Sequence, residues 1–578
     1  MMEKRPFDGN SLRDEIVGID ATVPTPFGDR LMVYCDYTAS GRSLLFIERY
    51  LMELQRHYAN SHTEDDITGR SMTRILRQAE RFIKEAVNAG PDGRIVSVGF
   101  GSTAAIDRFQ QIVGVALPPA TGDMLFSLAR EHGCGRGAGD FERFVEARRP
   151  VVFIGPYEHH SNELTWREGM CTVVVVRMGA DGGIGLSHLE TLLRDPQYTG
   201  RLRIGSFSAA SNVTGRLSPV RELAVMLHRH EALACFDYAA SAPYVAINMN
   251  PPPGPEGDDP SLDAVFISPH KFLGGPGSSG ILVFNERVYR RDLAPSVSGG
   301  GTVAYVSRSA HDFIADVEER EKAGTPGVLQ TVKAALAFMV KDAVTVGRIE
   351  RRERELLERA FGKWRTNPRI EIMGDPDPAK RIGVVSFNVR DEGGRHLHPK
   401  FVTVLLNDLF GIQSRAGCSC AGPYGHDLLG IDEATSGRYR EAVREGYCGM
   451  KPGWCRVGFH YAMDDAEADY LIEAVDFVGR NGRFFLLLYR FDLKSGTWAH
   501  VHDPLAYEDL SLEDAFRVGG EPVCRPLAAS VRERLYRGYL KEAEALAGDF
   551  RRSGSGGERK LPAGLAPLQF FTLPPDED

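Results

Sequence analysis

The chain has 578 residues, with 69 Lys and Arg against 78 Asp and Glu for a formal net charge of −9, and 43% hydrophobic residues; this is a folded globular composition long enough for two or more domains. The acidic balance argues against a nucleic-acid-binding protein, no apolar run reaches the roughly 20 residues of a membrane span, and the N-terminal MMEKRPFDGNSLRDEIVGID lacks the apolar core of a secretory signal. The nine cysteines are odd in number and scattered from Cys35 to Cys524, which excludes a disulfide framework and predicts a reducing, cytoplasmic setting.

From residue 90 onward, short β-rich runs alternate with amphipathic helical stretches. The runs are RIVSVGF (94–100), VVFIGP (151–156), CTVVVVRM (171–178), RIGSFS (203–208), ALACFDY (232–238), AVFISP (264–269) and GILVF (280–284). Apolar strands separated by helix-length segments predict an α/β fold with a mostly parallel seven-stranded sheet covered on both faces. Residues 325–362, including GVLQTVKAALAFMVKDAV, carry helical periodicity and predict one long connecting helix. A smaller α+β domain follows over 345–480, with a strand at 383–389, a helix near 399–410, a strand in WCRVGFHY (454–461) and a helix in DDAEADYLIEAVDFVG. The expected organisation is an N-terminal segment (1–30), a large domain (31–344), the small domain (345–480) and an appendage (481–578). The appendage reads as a strand-like FFLLLYRFDL, a charged helix and a loose tail beginning at RRSGSGGERK. No internal repeat is evident.

Ligands of such sheets sit at the carboxyl ends of the strands, so the residues following each run are the ones to inspect. SPHKFLGGPGSSG (268–280) places Lys271 after a strand, beside Ser268, His270 and a glycine-rich turn. A lysine there can form a Schiff base with pyridoxal phosphate while its neighbours reach the phosphate; it can equally be a surface lysine beside a flexible turn. One strand earlier, Asp237 in FDYAASAP can pair with a pyridine nitrogen and keep it protonated, or simply cap the next helix. In GFGSTAAIDRF (99–109), Ser102 and Thr103 stand at a helix start, an anion site suited to a phosphate. The same two residue types are also ordinary helix caps.

Together with VYCDYTASG (33–41), YEHHSNELTW (157–166), SNVTGRLSPV (211–220) and AGTPGVL (323–329), these segments follow one another in the order of a known family. The chain resembles class V aminotransferase-fold enzymes over about residues 30–480, in particular the cysteine desulfurase and selenocysteine lyase group. The resemblance implies the PLP-dependent transferase fold type I, with pyridoxal 5′-phosphate as cofactor. It implies that Lys271 is the Schiff-base lysine and Asp237 the pyridinium partner, that His159 stacks on the ring, with His160 the competing choice, and that Asn212 lies near the phenolic oxygen. Ser102, Thr103, Ser268 and His270 would bind the phosphate, and Thr325 would reach the phosphate of a neighbouring subunit in a homodimer. One position departs from the pattern: Ala240 stands where the family carries a glutamine, and an alanine cannot donate that hydrogen bond. Ser241 and Tyr238 are the candidates to compensate.

QSRAGCSCAGPYGHDLLGI (413–431) is similar to the family's mobile cysteine loop, and Arg415, Gly417 and Cys420 fit its Arg-x-Gly-x-x-Cys pattern. The resemblance implies that Cys420 carries a persulfide and that Arg415 and Arg456 bind the substrate, Arg456 at its carboxylate, since a planar guanidinium suits a carboxylate. Cys418 is an additional thiol, open to readings as a sulfur relay, half of a redox pair, a metal ligand or a structural residue; a lone Cys-x-Cys is weak evidence for a metal. The insertion 421–453 between the cysteine loop (413–425) and Arg456 reads as a lid or a solvated excursion. The implied reaction is release of sulfur from L-cysteine, leaving alanine, with a sulfur-acceptor protein as partner and neither metal, nucleic acid nor membrane involved. Because the fold hosts several chemistries, a C–S lyase, an aminotransferase or epimerase on another amino acid, and a non-enzymatic scaffold remain alternatives.

Overall fold

The computed structural model describes residues 9–61, 64–131, 138–255, 257–502, 511–516, 526–553 and 559–575. The chain forms two compact units. Unit 1 comprises residues 1–39, 212–215 and 347–578, and unit 2 comprises 40–211 and 216–346. The expected large domain beginning at 31 therefore starts at 40. The N-terminal segment and the expected appendage both belong to unit 1, as does the tetrapeptide 212–215.

In unit 2 all seven expected runs form strands of one sheet: β1 (Gly93–Val98), β2 (Val151–Ile154), β3 (Thr172–Val175), β4 (Arg203–Ser208), β5 (Ala232–Asp237), β6 (Ala264–Ile267) and β7 (Gly280–Asn285). Their order is β1-β7-β6-β5-β4-β2-β3. The β3-β2-β4-β5-β6 run is parallel, and β7 is antiparallel to both neighbours. The reason is local: only the short Ser268–Ser279 connection joins β6 to β7, and its glycine-rich turn leaves no room for the crossover helix a parallel pair needs. The apolar faces of these strands pack with Phe109, Trp166 and Ile106 into a continuous core. Helix α1 (Gly101–Ile112) follows β1. The expected single helix over 325–362 is two helices, α2 (Val328–Val344) and α3 (Val346–Trp364). They part at Thr345, whose φ of 73° is incompatible with a continuing helix.

Unit 1 is built on an antiparallel sheet of β8 (Ile370–Ile372), β9 (Val384–Val389), β10 (Arg415–Gly417) and β11 (Trp454–Gly458), in the order β8-β9-β11-β10. Helix α4 (Pro399–Phe410) and helix α7 (Asp465–Asn481) match the expected helices. The 421–453 insertion is ordered as α5 (Gly422–Leu429) and α6 (Glu433–Arg444). N-terminal Val33–Tyr34 pairs in parallel with Ile412–Gln413, at the start of the cysteine loop.

Within the appendage, the expected strand FFLLLYRFDL is a 3-10 turn (Gly482–Leu488) leading into a hairpin of Tyr489–Asp492 with Thr497–His500. Helix α8 (Ala529–Ser553) lies on α7 with Tyr470 and Tyr536 stacked at 4.1 Å. The tail is not loose where described: Phe571–Thr572 pairs in parallel with His396–Leu397. Most of RRSGSGG lies outside the described residues.

Candidate active site

Unit 2 gathers its candidate residues at the carboxyl ends of parallel strands, where the backbone must turn and side chains converge. Asp237 ends β5, Ser268, His270 and Lys271 follow β6, Gly101–Thr103 follow β1, and His159 follows β2. Asp237 is 4% exposed. Burial pushes its carboxyl up from the ordinary range; the Ala239 N–H, donating to Oδ1 at 2.8 Å, the charge of Lys271 and a hydrogen bond with the Ser102 side chain oppose that rise. The Ser102 N–H at the start of α1 donates to Ser268 Oγ at 2.8 Å. Gly101 has φ +55°, and a Cβ there would lie 2.7 Å from His270 Cε1 and 2.8 Å from Ser268 Oγ. Only glycine lets the helix start approach this strand end. Burial, with Lys271 alongside, lowers the His270 pKa to about 4, so its imidazole is neutral.

His159 is held by its own loop. Its Nδ1 accepts from the Ser161 N–H at 3.1 Å, and Ser161 Oγ shares a hydrogen bond with Thr103 Oγ1 at 2.7 Å. A fixed Nδ1 acceptor places the proton of a neutral ring on Nε2. Underneath, Glu158 is buried and accepts from Gly155 N (3.1 Å), Ser208 N (2.9 Å), Ser208 Oγ (2.6 Å) and Asn162 Nδ2 (2.7 Å). Asn162 Oδ1 in turn accepts from Ser206 Oγ and from Trp166 Nε1. This network pins the His159 loop to β4. Of the two residues suggested to offset Ala240, Tyr238 is buried, and Ser241 is fully buried with its hydroxyl unpartnered. Thr325 stands apart from these contacts, exposed, its hydroxyl accepting from Asn60 Nδ2 at 3.3 Å.

Unit 1 assembles the second set. Arg456, on the central strand β11, is 4% exposed and donates through Nη1 to Asn212 O (3.0 Å) and through Nη2 to Asp36 Oδ1 (2.9 Å). Arg415 on β10 donates through Nε to Asp36 Oδ2 at 2.9 Å. One carboxylate thus bridges both candidate substrate arginines. The Asn212 side chain donates to Ser419 O at 2.7 Å, tying it to the cysteine loop. Cys418 and Cys420 are both exposed free thiols. Among the described residues no cluster of His, Cys, Asp and Glu could hold a metal ion.

Asp36 and Glu158 were not singled out by sequence reasoning. Their signal was available: each is an acid within a motif segment, VYCDYTASG or YEHHSNELTW, beside buried neighbours such as Cys35, Tyr37 and Tyr157. Which donors each would meet depends on residues distant in the chain.

The aminotransferase class-V family profile matches residues 140–471, more than half of the chain. The chain belongs to that family. Among its relatives, a probable cysteine desulfurase of Halalkalibacterium halodurans is 25% identical over 397 residues, covering 68% of this chain and 84% of the relative. One of Staphylococcus epidermidis is 29% identical over 276 residues, covering 47% and 61%. Among solved structures, the apo cysteine desulfurase of Thermococcus onnurineus NA1 is similar with a TM-score of 0.59 at 21% identity, covering 78% of this chain and 95% of that one. An Escherichia coli cysteine desulfurase has a TM-score of 0.56 at 19% identity, covering 81% and 98%. These likenesses show that the fold is shared: the chain has the α/β architecture of fold type I, with its seven-stranded, mostly parallel sheet.

Proposed function

We propose that the chain is a pyridoxal-phosphate-dependent enzyme of the cysteine desulfurase type, taking sulfur from L-cysteine to leave alanine and a persulfide on Cys420. The observation that carries the reading is in unit 1. An exposed thiol stands on a turn anchored by Asn212, and the strand paired with β10 carries a buried arginine, Arg456, suited to a carboxylate. The probable cysteine desulfurases among its relatives support the same reading.

The residues of unit 2 fit the cofactor. A buried carboxylate at Asp237 suits a protonated pyridine nitrogen, Lys271 follows the next strand, and the Gly101–Ser102 helix start forms a cradle that any Cβ would fill. When bound, pyridoxal phosphate supplies a ring that withdraws electrons from the substrate α-carbon. Asp237 would hold the ring proton, and Lys271 would anchor the cofactor and, once freed, accept and return the α-proton at Nζ. Thr103, Ser102, Ser268 and a neutral His270 would hold the phosphate, and His159 would cover the ring. Arg456 and Arg415 bind the substrate carboxylate. The Cys420 thiolate attacks the substrate sulfur, the S–S bond forming as the Cβ–S bond breaks, and the sulfur then passes to an acceptor thiol. Two copies of the chain complete the phosphate site through the exposed Thr325, and the free cysteines suit a reducing, cytoplasmic setting.

The test is turnover of L-cysteine by the wild type and by Cys420→Ala, with alanine and sulfide quantified. The variant is expected to lose both products. A C–S lyase would keep sulfide release without the thiol, and an aminotransferase or epimerase would turn over other amino acids in both proteins. Full cysteine turnover by Cys420→Ala would overturn the reading.

A further inference from the structure

Cys418 and Cys420 flank a single residue, Ser419, and the backbone around it is unusual. Ser419 and Cys420 have φ of 50° and 56°, two consecutive non-glycine residues in the left-handed region, and the Ala421 N–H donates to Cys418 O at 3.0 Å. This is a tight turn of the I′ kind with Cys418 at its first position and Cys420 at its third. Left-handed backbone costs roughly 1–2 kcal/mol per such residue and persists only where its surroundings enforce it. Here they do: Ser419 O accepts from Asn212 Nδ2 at 2.7 Å, and Ser419 Oγ accepts from Trp454 Nε1 at 3.2 Å. The residue between the two cysteines is therefore clamped at its carbonyl and its hydroxyl, and both thiols are exposed. Two virtual bonds of about 3.8 Å folded through a turn keep the Cα atoms of Cys418 and Cys420 within roughly 7 Å, the range a disulfide spans.

We propose that Cys418 is a resolving thiol: it discharges the persulfide on Cys420 within the same chain, releasing hydrosulfide and leaving a Cys418–Cys420 disulfide. The proposal rests on the persulfide reading of Cys420. The Cys418 thiolate attacks Cys420 Sγ, the inner sulfur. The Cys418–Cys420 S–S bond forms, the bond to the outer sulfur breaks, and that sulfur leaves with its electron pair and proton as hydrosulfide. Hydrosulfide is a weaker base than an alkyl thiolate and so the better leaving group. No oxidant is consumed, because the persulfide already carries the oxidised sulfur. An exogenous thiol or dithiol then reduces the disulfide and is itself oxidised. An exposed disulfide closed across so short a turn belongs to the readily reduced, catalytic class rather than the structural one. The chain would thus release inorganic sulfide to any thiol reductant without a dedicated acceptor protein.

The experiment loads the full-length protein with inorganic polysulfide, with no substrate present, and follows intact mass, alkylated peptides and released sulfide. The wild type is expected to become lighter by two hydrogens, with Cys418 and Cys420 joined in one alkylation-resistant peptide and one hydrosulfide released per chain beyond the shortened polysulfide that the loading step leaves. Cys418→Ser, with Cys418→Ala as the second variant, is expected to stay heavier by one sulfur. Its persulfide should outlive that of the wild type by roughly tenfold or more, the advantage of an intramolecular thiol over a dilute external one. A wild type that keeps the added sulfur as long as the variants, with no joined peptide, overturns the proposal; this measurement on the wild type decides the matter even if a variant fails to fold. A parallel arm supplies L-cysteine to the cofactor-loaded protein. Absence of alanine there overturns the desulfurase reading, while the polysulfide arm still decides whether Cys418 resolves the persulfide.

Discussion

Replacing Glu158 by Gln tests how the His159 loop is held. Burial raises the Glu158 carboxyl from 4.5 to about 7, against the pull of the Ser208 hydroxyl and N–H and the Asn162 amide. At 1.36 kcal/mol per pH unit, the ionised side chain is about 3 kcal/mol less favourable in the folded protein than in the unfolded chain. A raised carboxyl pKa means that the folded state holds the proton more tightly. Its stabilising contribution is therefore fully present below pH 4.5 and is lost as the pH rises through about 7. Glutamine cannot titrate. The stability of the wild type relative to Glu158→Gln should accordingly fall by about 3 kcal/mol between pH 4.5 and about pH 8. The substitution also turns an amide N–H toward the Asn162 amide, a donor against a donor, which costs about 1–3 kcal/mol at any pH. Urea unfolding at several pH values, read by tryptophan fluorescence, measures both effects, since Trp166 donates to Asn162 in the same network. A wild-type-minus-variant difference that stays flat, or rises with pH, would refute the reasoning.

Three further outcomes are expected. Gly101→Ala forces a Cβ to within 2.7 Å of His270 and a side chain into φ +55°, so pyridoxal phosphate binding should weaken by roughly tenfold or more, about 1.4 kcal/mol, measured by titrating the cofactor-free protein. Lys271→Ala should abolish borohydride-trapped attachment of pyridoxal phosphate while leaving the fold intact, checked by peptide mass and circular dichroism; attachment at another lysine would reassign the anchor. Asp36→Asn removes the charge that bridges Arg415 and the buried Arg456. It should lower stability by about 2 kcal/mol and raise KM for cysteine more than it lowers kcat; an unchanged KM would mean that Asp36 does not position the arginines.

Much of unit 2 was legible because its strands are short apolar runs bounded by turn residues, and a parallel sheet buried on both faces demands that pattern. Lys271 and Asp237 could be placed at strand ends for the same reason, since the apolar runs that precede them mark where each strand stops. The helix break at Thr345 was not legible, since helical periodicity continues on both sides of it and only the backbone at one residue interrupts it. Nor was the pairing of Phe571–Thr572 with His396–Leu397, because a two-residue strand carries no periodicity to detect.

By itself, then, the sequence determined where the candidate residues lie: the order of motifs located the strand ends, the lysine, the acid, the cysteine loop and the arginines. Tertiary structure decided how those residues are held. That Asp36 bridges two arginines from β10 and β11, that Asn212 leaves its neighbours in sequence to pack with unit 1 and clamp Ser419, and that Ser208 donates to Glu158 through both its N–H and its hydroxyl are contacts between residues far apart in the chain. Local propensity and spacing act over a few residues, whereas a buried charge must find its partners wherever the folded chain brings them.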